Sequence, residues 1–494
     1  MSDVQSISNT NALAVGRAAR RHGGLSPYVL ASCLVGATAL LFGVATLFLP
    51  HFLFTTVGLI ALWIMLLPPI LCPRYDLCSP WSLATMAVVL GLTLRGAYIS
   101  MQYPDADTID RFYLLGQHPE FFIWPAVLLL TGLLCMAIGY VSVRPKPVSA
   151  ANQMRWNRGR LYVLTVITLF VSLASTWLYI KNTGGLESNR LSAKRTLVTH
   201  VEGSETNQAH GTLRLLASIS IFAHLLVLAD CLKPTTNHRR WKLALAAALF
   251  ISANILPFYA SSRTPIALNF CLSASMLYYS RQSFPMTRVV LLAVFAITSV
   301  HIVTVLRRGG DNPADINFGR EMLDSIVLNR NNLGLCTTAH VMEAVPDQLP
   351  YQYGQTIAVW LAAPVPRELW PEKPTMHCGP LVGYVVYGID VGGLPPGYVA
   401  EMFWNFHVPG VIVGCLLLGW GLRYMEECFR PVRGGDLFIA AAYVVGPMQF
   451  GFLVFGQTLG QAIFKSVITV VIMLAFLWFI RERSVRTAGN LSAS

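Results

Sequence analysis

About twelve apolar segments, each close to 20 residues long, run along the sequence, and this repetition restricts the fold more than any other feature. An α-helix needs about 20 mostly apolar residues to cross a bilayer. We therefore predict an all-α polytopic membrane protein with about 12 transmembrane helices. The predicted spans lie near residues 27–48, 52–71, 81–101, 121–141, 161–180, 212–232, 243–260, 264–280, 289–306, 403–422, 437–455 and 461–480.

The composition agrees with a membrane protein. Hydrophobic residues make up 54% of the chain and charged residues only 12%, whereas charged residues make up about a quarter of soluble domains. The net charge of +12 would suggest a nucleic-acid partner in a soluble protein. In a membrane protein, basic residues collect in cytoplasmic loops, so we expect no nucleic acid to bind.

The charges of the connecting segments predict the topology. More than half of the 36 basic residues fall on one side of the membrane if both termini are cytoplasmic. The predicted organisation is a cytoplasmic tail over residues 1–26, transmembrane helices 1–9 over 27–306, a long outer loop over 307–402, transmembrane helices 10–12 over 403–480, and a cytoplasmic tail over 481–494.

Arginines on the outer side oppose the usual charge distribution and need another explanation. Guanidinium groups bind phosphate through paired hydrogen bonds and stay charged. We expect some of these arginines to bind a lipid-linked phosphate or diphosphate, and the others to be solvated or to pair with acidic loop residues. The set is Arg190, Arg195, Arg214, Arg263, Arg307, Arg308, Arg320, Arg330 and Arg367.

Two of these positions lie next to spans. Arg263 falls between two spans only a few residues apart, so its head group should lie near the membrane boundary, where contact with lipid headgroups is the alternative to ligand binding. Arg307 and Arg308 directly follow the ninth span. Together these sites are expected to bracket a diphosphate. Arg95 in the third span and Lys465 in the twelfth are placed near the same outer end.

The long outer loop is not predicted to be a soluble domain. Met322, Leu323, Ile326 and Val327 have helical spacing, which predicts an amphipathic helix on the membrane. The segment GQTIAVWLAAPVP is too short to span and is predicted to enter the membrane and return. The prolines that follow predict a rigid segment that presents side chains to a ligand. The indole of Trp370 is expected either to stack on a sugar or to anchor the chain at the membrane interface. These side chains belong to Arg367, Trp370, Lys373 and His377.

No pattern in the sequence predicts a metal site or a cofactor. The ten cysteines include no CxxC pair and no Cys/His cluster at zinc spacing. Cys336 and Cys378 lie in the long loop and would form a disulfide only if that loop faced an oxidising compartment. The acidic run DAD at 105–107 lies in a different outer loop without further ligands.

Several motifs resemble those of one known family, over about residues 160–425. They are AAPVPRELWPEKP, the preceding SSR, the RRGG after a span, PPGYVAEMFWNFHVPGVIVG, and the GG of KNTGGLESNR. Together they resemble the oligosaccharide repeat-unit polymerases of bacterial surface polysaccharide assembly, the Wzy-type O-antigen polymerases.

This resemblance implies a membrane-embedded, GT-C-like glycosyltransferase of the bacterial inner membrane. Such an enzyme takes a growing glycan on undecaprenyl diphosphate and transfers it to a new lipid-linked repeat unit on the periplasmic face, without nucleotide sugars. The long outer loop would then be periplasmic. The implied partners are undecaprenyl-diphosphate-linked oligosaccharides and membrane lipids, together with a chain-length regulator and a flippase. Arginines would neutralise the diphosphate leaving group without a metal.

The acceptor hydroxyl must lose a proton, so a carboxylate or an imidazole should lie near the phosphate site. The candidates are Glu401, His377, Asp311 and Glu372. Glu401 ranks first because PPGYVAE places it after a rigid turn near the membrane edge, and its alternative role is a structural ion pair with an arginine. The alternative for His377 is a loop hydrogen bond or contact with sugar.

Three other functions share some of these features. An O-antigen ligase uses a similar donor but transfers the finished glycan to lipid A core, and the WPEKP run favours the polymerase. A lipid-linked oligosaccharide flippase or other transporter should show internal repeats and ionisable residues at mid-membrane, which the sequence lacks. A structural scaffold would leave the outer arginines unexplained.

Overall fold

The protein is all-helical in the residues that its structure describes. A computed structural model describes residues 27–72, 75–102, 114–145, 155–182, 211–233, 238–260, 262–280, 298–299, 327, 333–363, 365, 369–370, 378–388, 393–432 and 434–482. Among these residues, the extended pairing is a single bridge between Trp156 and Arg481. The predicted all-α class is therefore confirmed.

The long helices are α1 (Pro27–Thr46), α2 (Pro50–Leu71), α3 (Pro80–Gln102), α4 (Pro119–Ser142), α5 (Arg158–Asn182), α6 (Thr212–Leu232) and α7 (Arg239–Tyr259). They are followed by α8 (Arg263–Tyr279) and three short helices, α9 (Leu335–Ala344), α10 (Gln355–Ala362) and α11 (Cys378–Tyr387). The last three are α12 (Tyr398–Phe429), α13 (Leu437–Gly456) and α14 (Leu459–Ile480).

Ten described helices, α1–α7 and α12–α14, are long and apolar enough to cross a membrane. They coincide with ten of the predicted spans, and the chain is a multi-pass membrane protein. The predicted span at 264–280 forms α8, which has only 17 residues. The predicted span at 289–306 lies outside the described residues except for 298–299. The total of 12 spans therefore stays a prediction.

Local capping sets the start of two spans. The Ser79 hydroxyl accepts the backbone N–H of Ser82 at 3.1 Å, and Pro80 occupies the first turn of α3, where its missing N–H costs nothing. The Asp436 carboxylate accepts the N–H of Phe438 at 3.0 Å at the start of α13. Such caps satisfy amides that have no partner within the helix.

Contacts between helix termini identify the residues that lie together at one end of the bundle. Trp156 before α5 donates to Asp436 before α13 at 2.6 Å, and Lys233 after α6 lies 4.3 Å from the ring centroid of Phe438. We call this end, which also carries Arg423 near the end of α12, the Arg423 end. The opposite end, which carries Glu401 at the start of α12, is the Glu401 end.

Buried charged side chains at the Arg423 end have charged or hydroxyl partners. The Lys242 ammonium lies 2.8 Å from the Asp230 carboxylate, and Arg423 lies 2.6 Å from Glu427. The Tyr140 hydroxyl donates to Glu426 in the same region. The gathering of cations at one end agrees with the predicted alternation of charge, whereas the orientation of the bundle in the membrane stays a prediction.

Helix α12 is not one straight rod. Its 32 residues would extend about 48 Å, well beyond the hydrocarbon core of about 30 Å. Phe406 (φ −140°, ψ 18°) and His407 (φ 57°, ψ −151°) leave the helical conformation and divide it. The part from 408 to 429, about 33 Å long, has the length of a membrane crossing.

The first part of α12 folds back against the second. The Tyr398 hydroxyl donates to the backbone carbonyl of Gly414 at 2.8 Å, although these residues would lie about 24 Å apart along a straight helix. Glycines allow the approach, because a Cβ on Gly410 would lie 2.4 Å from the Met402 carbonyl oxygen and one on Gly414 would lie 2.6 Å from the Met402 sulfur. Residues 398–405 and 408–429 therefore form a helical hairpin.

The described parts of the long loop pack on the bundle. The Val327 side chain is buried, and its carbonyl accepts the Arg95 Nε–H at 2.9 Å. This burial in protein differs from the predicted position on the membrane surface; Met322, Leu323 and Ile326 lie outside the described residues. The predicted re-entrant segment contains α10, which packs on the start of α14.

Candidate functional site

A fully buried carboxylate links three elements at the Glu401 end. Glu401 has 0% exposure and lies in the first turn of α12. Its Oε1 accepts the Thr356 hydroxyl of α10 at 2.8 Å, and its Oε2 accepts the backbone N–H of Leu459 at 2.7 Å. Leu459 is the first residue of α14, so the carboxylate caps the positive end of that helix from outside.

Asn405 completes this hydrogen-bond network. Its Nδ2 donates to the Thr356 hydroxyl oxygen at 2.7 Å and to the Glu401 backbone carbonyl at 2.7 Å. Its Oδ1 accepts the N–H of Gly354 at 2.7 Å. Each member of the network has a partner, which satisfies the polar groups that folding removes from water. We call Glu401, Asn405, Thr356 and the Leu459 amide the carboxylate network.

Backbone geometry brings these groups together. Gly354 adopts φ 90° immediately before α10, a left-handed conformation that favours glycine, and a Cβ there would lie 3.2 Å from the Phe406 ring. The turn therefore fits against the break in α12. At the start of α14, a Cβ on Gly460 would lie 2.4 Å from the Thr356 carbonyl oxygen, so α10 and α14 meet backbone to backbone.

The carboxylate network holds the Glu401 side chain in place, and the Glu401 carboxylate can accept a proton. The alternative predicted for Glu401, an ion pair with an arginine, does not occur among the described residues, where a hydroxyl and an amide bond the carboxylate instead. Both carboxylate oxygens are bonded, so a substrate hydroxyl could reach one of them only by replacing Thr356 or the Leu459 amide. The sequence predicted that Glu401 lies near the membrane edge. The structure adds that its side chain is fully buried.

Arg263 lies at the Glu401 end of the bundle, where α7 ends and α8 begins. It is the half-buried first residue of α8, after a tight turn in which the Ser262 N–H donates to the Pro257 carbonyl at 2.8 Å. The nearby end of α7 contributes Tyr259, whose ring packs edge-on against Tyr179 of α5 at 6.4 Å. Arg263 is thus the first residue of a helix. The short connection between the two spans predicted this position near the end of a span.

Arg214 of α6 contacts a tyrosine of α5 at the same end of the bundle. Its Nε and Nη2 donate to the Tyr179 hydroxyl at 3.0 and 2.5 Å. The described contacts place α8 beside α6 and α7, whereas Glu401 contacts α10 and α14. The described residues therefore contain a polar network around Glu401 and a separate contact between Arg214 and Tyr179.

The other predicted site residues are accounted for as follows. The Trp370 side chain is 42% exposed, consistent with either of its predicted roles, sugar stacking or membrane anchoring. The remaining predicted site residues lie outside the described residues. They are Arg190, Arg195, Arg307, Arg308, Arg367, Lys373 and His377, together with the further candidates Asp311 and Glu372.

Sequence reasoning missed most partners of Glu401. Thr356 and Leu459 lie far from it along the chain, so no local pattern connects them. Asn405 is four residues after Glu401 and shares its helix face, which is the one signal that could have been used. No group of three or more potential metal ligands occurs among the described residues.

Cys336 and Cys378 are both free thiols rather than a disulfide. Burial raises the pKa of the Cys336 thiol to about 12, and burial likewise raises that of Cys378 to about 12. Below that pH the reactive thiolate is scarce.

At pH 8, we expect both cysteines of the native protein to react with iodoacetamide at least about 100-fold more slowly than an unfolded cysteine with a pKa near 8.5. Peptide mass spectrometry before and after denaturation measures this difference, with the same two cysteines in the denatured protein as the comparison. Rapid native alkylation, or a mass two hydrogens lower from a disulfide, would contradict the expectation.

No curated protein and no solved structure matches the chain. The model of the family O-antigen polysaccharide polymerase Wzy matches residues 39–491, and the chain, covered almost throughout, belongs to this family.

Proposed function

We propose that the protein joins lipid-linked oligosaccharide repeat units into O-antigen or another surface polysaccharide on the periplasmic face of the bacterial inner membrane. The observation that carries this proposal is the family match over residues 39–491. The multi-pass helical bundle supports it, because a substrate on a prenyl lipid must be met within the membrane plane. The gathering of cations at the Arg423 end supports cytoplasmic termini. A total of 12 spans and a GT-C-like arrangement are part of the proposal and rest on the sequence and on the family resemblance.

The proposed donor is a glycan on undecaprenyl diphosphate. The acceptor hydroxyl oxygen attacks the anomeric carbon of the donor and forms the new glycosidic bond. The bond between that carbon and the diphosphate oxygen breaks, and undecaprenyl diphosphate leaves with the bonding electron pair. The proton of the acceptor hydroxyl passes to a base. The bond that forms, the bond that breaks and the transferred proton thus balance, and the reaction needs no nucleotide sugar or cofactor.

Arginines are the proposed counter-charges for the leaving diphosphate. Guanidinium groups offer paired donors to phosphate oxygens, and they stabilise charge as the glycosidic bond breaks. This supports a reaction that needs no metal ion. The groups proposed to contact diphosphate or glycan are Arg190, Arg195, Arg263, Arg307, Arg308, Arg367, Trp370 and Lys373.

Glu401 and His377 are the proposed proton acceptors. Glu401 is held by the carboxylate network, and it would act by exchanging one of its two hydrogen bonds for the acceptor hydroxyl. Catalytic hydrogen bonds commonly form only when substrate is bound, so the buried state agrees with such an exchange. A chain-length regulator and a flippase are proposed to work beside the enzyme.

Replacing Arg263 with alanine tests the proposed function. We expect the polysaccharide ladder on a gel to collapse to single repeat units, because loss of a charged phosphate contact weakens binding by about 10- to 100-fold. Lysine at this position should restore part of the ladder, since it keeps the charge but not the paired donors. The matched control is Arg240→Ala, an exposed arginine at the Arg423 end, which should leave the ladder unchanged.

Two results would contradict the proposal at equal protein levels. Loss of even single repeat units would indicate failure of ligation or export rather than polymerisation. A full ladder from Arg263→Ala cells would remove Arg263 from the diphosphate site.

A further inference from the structure

A strongly basic surface lies at the Arg423 end, where the start of α5 meets the end of α14. Four arginines of the segments 155–160 and 481–482 are exposed in the part of the chain that the structure describes, and Glu482 is the one acidic residue of these two segments. The four are Arg155, Arg158, Arg160 and Arg481. Like charges repel one another, so this surface favours contact with an anion.

Hydrogen bonds between the two segments fix their relative position. Trp156 and Arg481 form an antiparallel bridge, and the Asn157 N–H donates to the Ile480 carbonyl at 2.8 Å. The Arg160 Nη1 donates to the Arg481 carbonyl at 3.4 Å. We call these two segments, 155–160 and 481–482, the α5–α14 junction. Its arginines are therefore held on a paired backbone.

The described carboxylates nearby leave the junction positively charged. Asp230 lies 3.4 Å from the Arg158 Nε, but it is buried. It also accepts the Lys242 Nζ and the Tyr162 hydroxyl, each at 2.8 Å. One carboxylate thus serves two cations, and the Arg158 side chain stays 51% exposed. Asp436 is occupied in capping α13.

Two apolar stripes lead to the junction along adjacent helices, α5 and α14. On α5 three exposed apolar residues follow Arg160 at helical spacing, and on α14 three precede Arg481 at the same spacing. These residues are Val163, Ile167, Phe170, Val471, Leu474 and Trp478. Tryptophan is typical of the membrane–water interface, so the position of Trp478 one turn before Arg481 indicates that the junction lies at the level of the lipid headgroups.

We infer that the α5–α14 junction binds an anionic phospholipid, whose phosphate lies between Arg160 and Arg481 and whose acyl chains follow the two apolar stripes. Guanidinium groups offer paired donors to phosphate oxygens, and basic residues beside membrane helices attract anionic headgroups. A soluble acidic protein would match the charges but would leave the apolar stripes uncovered. The site lies at the end of the bundle opposite Glu401 and is independent of the proposed polymerase reaction.

Lipid binding to the purified full-length protein tests the site. In a scintillation proximity assay in neutral detergent, we expect radiolabelled phosphatidylglycerol to bind at least about tenfold more tightly than phosphatidylcholine with the same acyl chains, which has no net charge. Added salt should weaken the binding, since it screens exposed charges. Inorganic phosphate should not displace the lipid.

Substitutions at the junction locate the binding. We expect the double variant Arg160→Gln, Arg481→Gln to bind phosphatidylglycerol about 20- to 30-fold more weakly, about fivefold for each lost arginine, with phosphatidylcholine binding unchanged. The double variant Arg160→Lys, Arg481→Lys keeps the charge and should bind within about threefold of the parent. The matched control is Arg144→Gln, an exposed arginine that follows α4 at the same end, which should bind within about twofold.

Photocrosslinking locates the lipid on the unsubstituted protein, so it decides the matter even if the glutamine variant does not fold. Phosphatidylglycerol with a photoreactive acyl chain should label peptides of α5 and α14 more strongly than those of α1, where Leu34 and Leu41 are also exposed. The phosphatidylcholine analogue should label all three helices evenly.

Several results would overturn the inference. Equal affinities for the two lipids, or even labelling of the three helices by both analogues, would show that the junction has no preference for anionic lipid. An equal loss of binding in Arg144→Gln would show a diffuse attraction to the whole end of the bundle. Displacement by inorganic phosphate would assign the arginines to a free anion, and displacement by polyglutamate would assign them to an acidic protein partner.

Discussion

Glu401→Gln is expected to leave the polymerase folded and to lower polysaccharide synthesis at least about 100-fold, the usual contribution of a general base. Glutamine has nearly the shape of glutamate, and its amide oxygen can still accept the Leu459 N–H that the carboxylate accepts at 2.7 Å. Its amide nitrogen would donate to the Thr356 hydroxyl oxygen. Glutamine cannot take up the acceptor proton, so chemistry should fail while the structure persists.

The measurement combines a polysaccharide ladder with the thermal unfolding temperature of the purified protein. Asn405→Asp is a useful companion, since it keeps the size of the side chain but replaces the amide that donates to Thr356 at 2.7 Å with a second buried carboxylate. It should lower stability more than Glu401→Gln does. A normal ladder from Glu401→Gln, together with no ladder from Glu401→Ala, would instead make Glu401 a positioning residue.

The membrane spans were the most predictable part of the fold. Lipid offers no hydrogen-bond partners, so a crossing segment satisfies its backbone by forming a helix. About 20 consecutive apolar residues therefore carry nearly all the information needed. The span predicted at 264–280 stays a prediction, because α8 has 17 residues and a crossing usually needs about 20.

The hairpin in α12 was present in the sequence but was not predicted. Pro409 lacks a backbone N–H and disfavours helical geometry in the residue before it, and Gly410 follows it directly. Together they indicate a break in an apolar run. The direction of the fold-back depends on tertiary contacts, such as that between Tyr398 and Gly414, which no periodicity encodes.

The site was predictable only in part. The family assignment from motifs is confirmed by the match over residues 39–491, and the roles of the individual residues stay predictions. Glu401 was selected because of its position after a turn, yet its environment is set by Thr356 and the Leu459 amide. Contacts between distant segments arise from packing, and a single sequence carries no direct record of them.

Gly419→Leu is expected to abolish accumulation of folded protein, because α4 and α12 approach backbone to backbone. A Cβ on Gly419 would lie 1.8 Å from the Met136 carbonyl oxygen, and a Cβ on Gly139 would lie 2.1 Å from the Leu416 carbonyl oxygen. Small residues permit such approaches between membrane helices, and a backbone atom cannot move aside as a flexible side chain can.

The reciprocal positions of the two glycines make the prediction specific. Even Gly419→Ala should lower the unfolding free energy by about 1–3 kcal/mol, the usual cost of overpacking, and leucine should exceed it. The matched control is Gly421, two residues further along the same helix, because a Cβ on Gly421 would meet no atom within 4 Å. Gly421→Leu should therefore accumulate as the parent does, measured by the yield of monodisperse protein in detergent and by thermal unfolding. Equal loss of both variants would show that α12 tolerates no leucine at these positions in the membrane, whereas normal yield of Gly419→Leu would refute the close contact between α4 and α12.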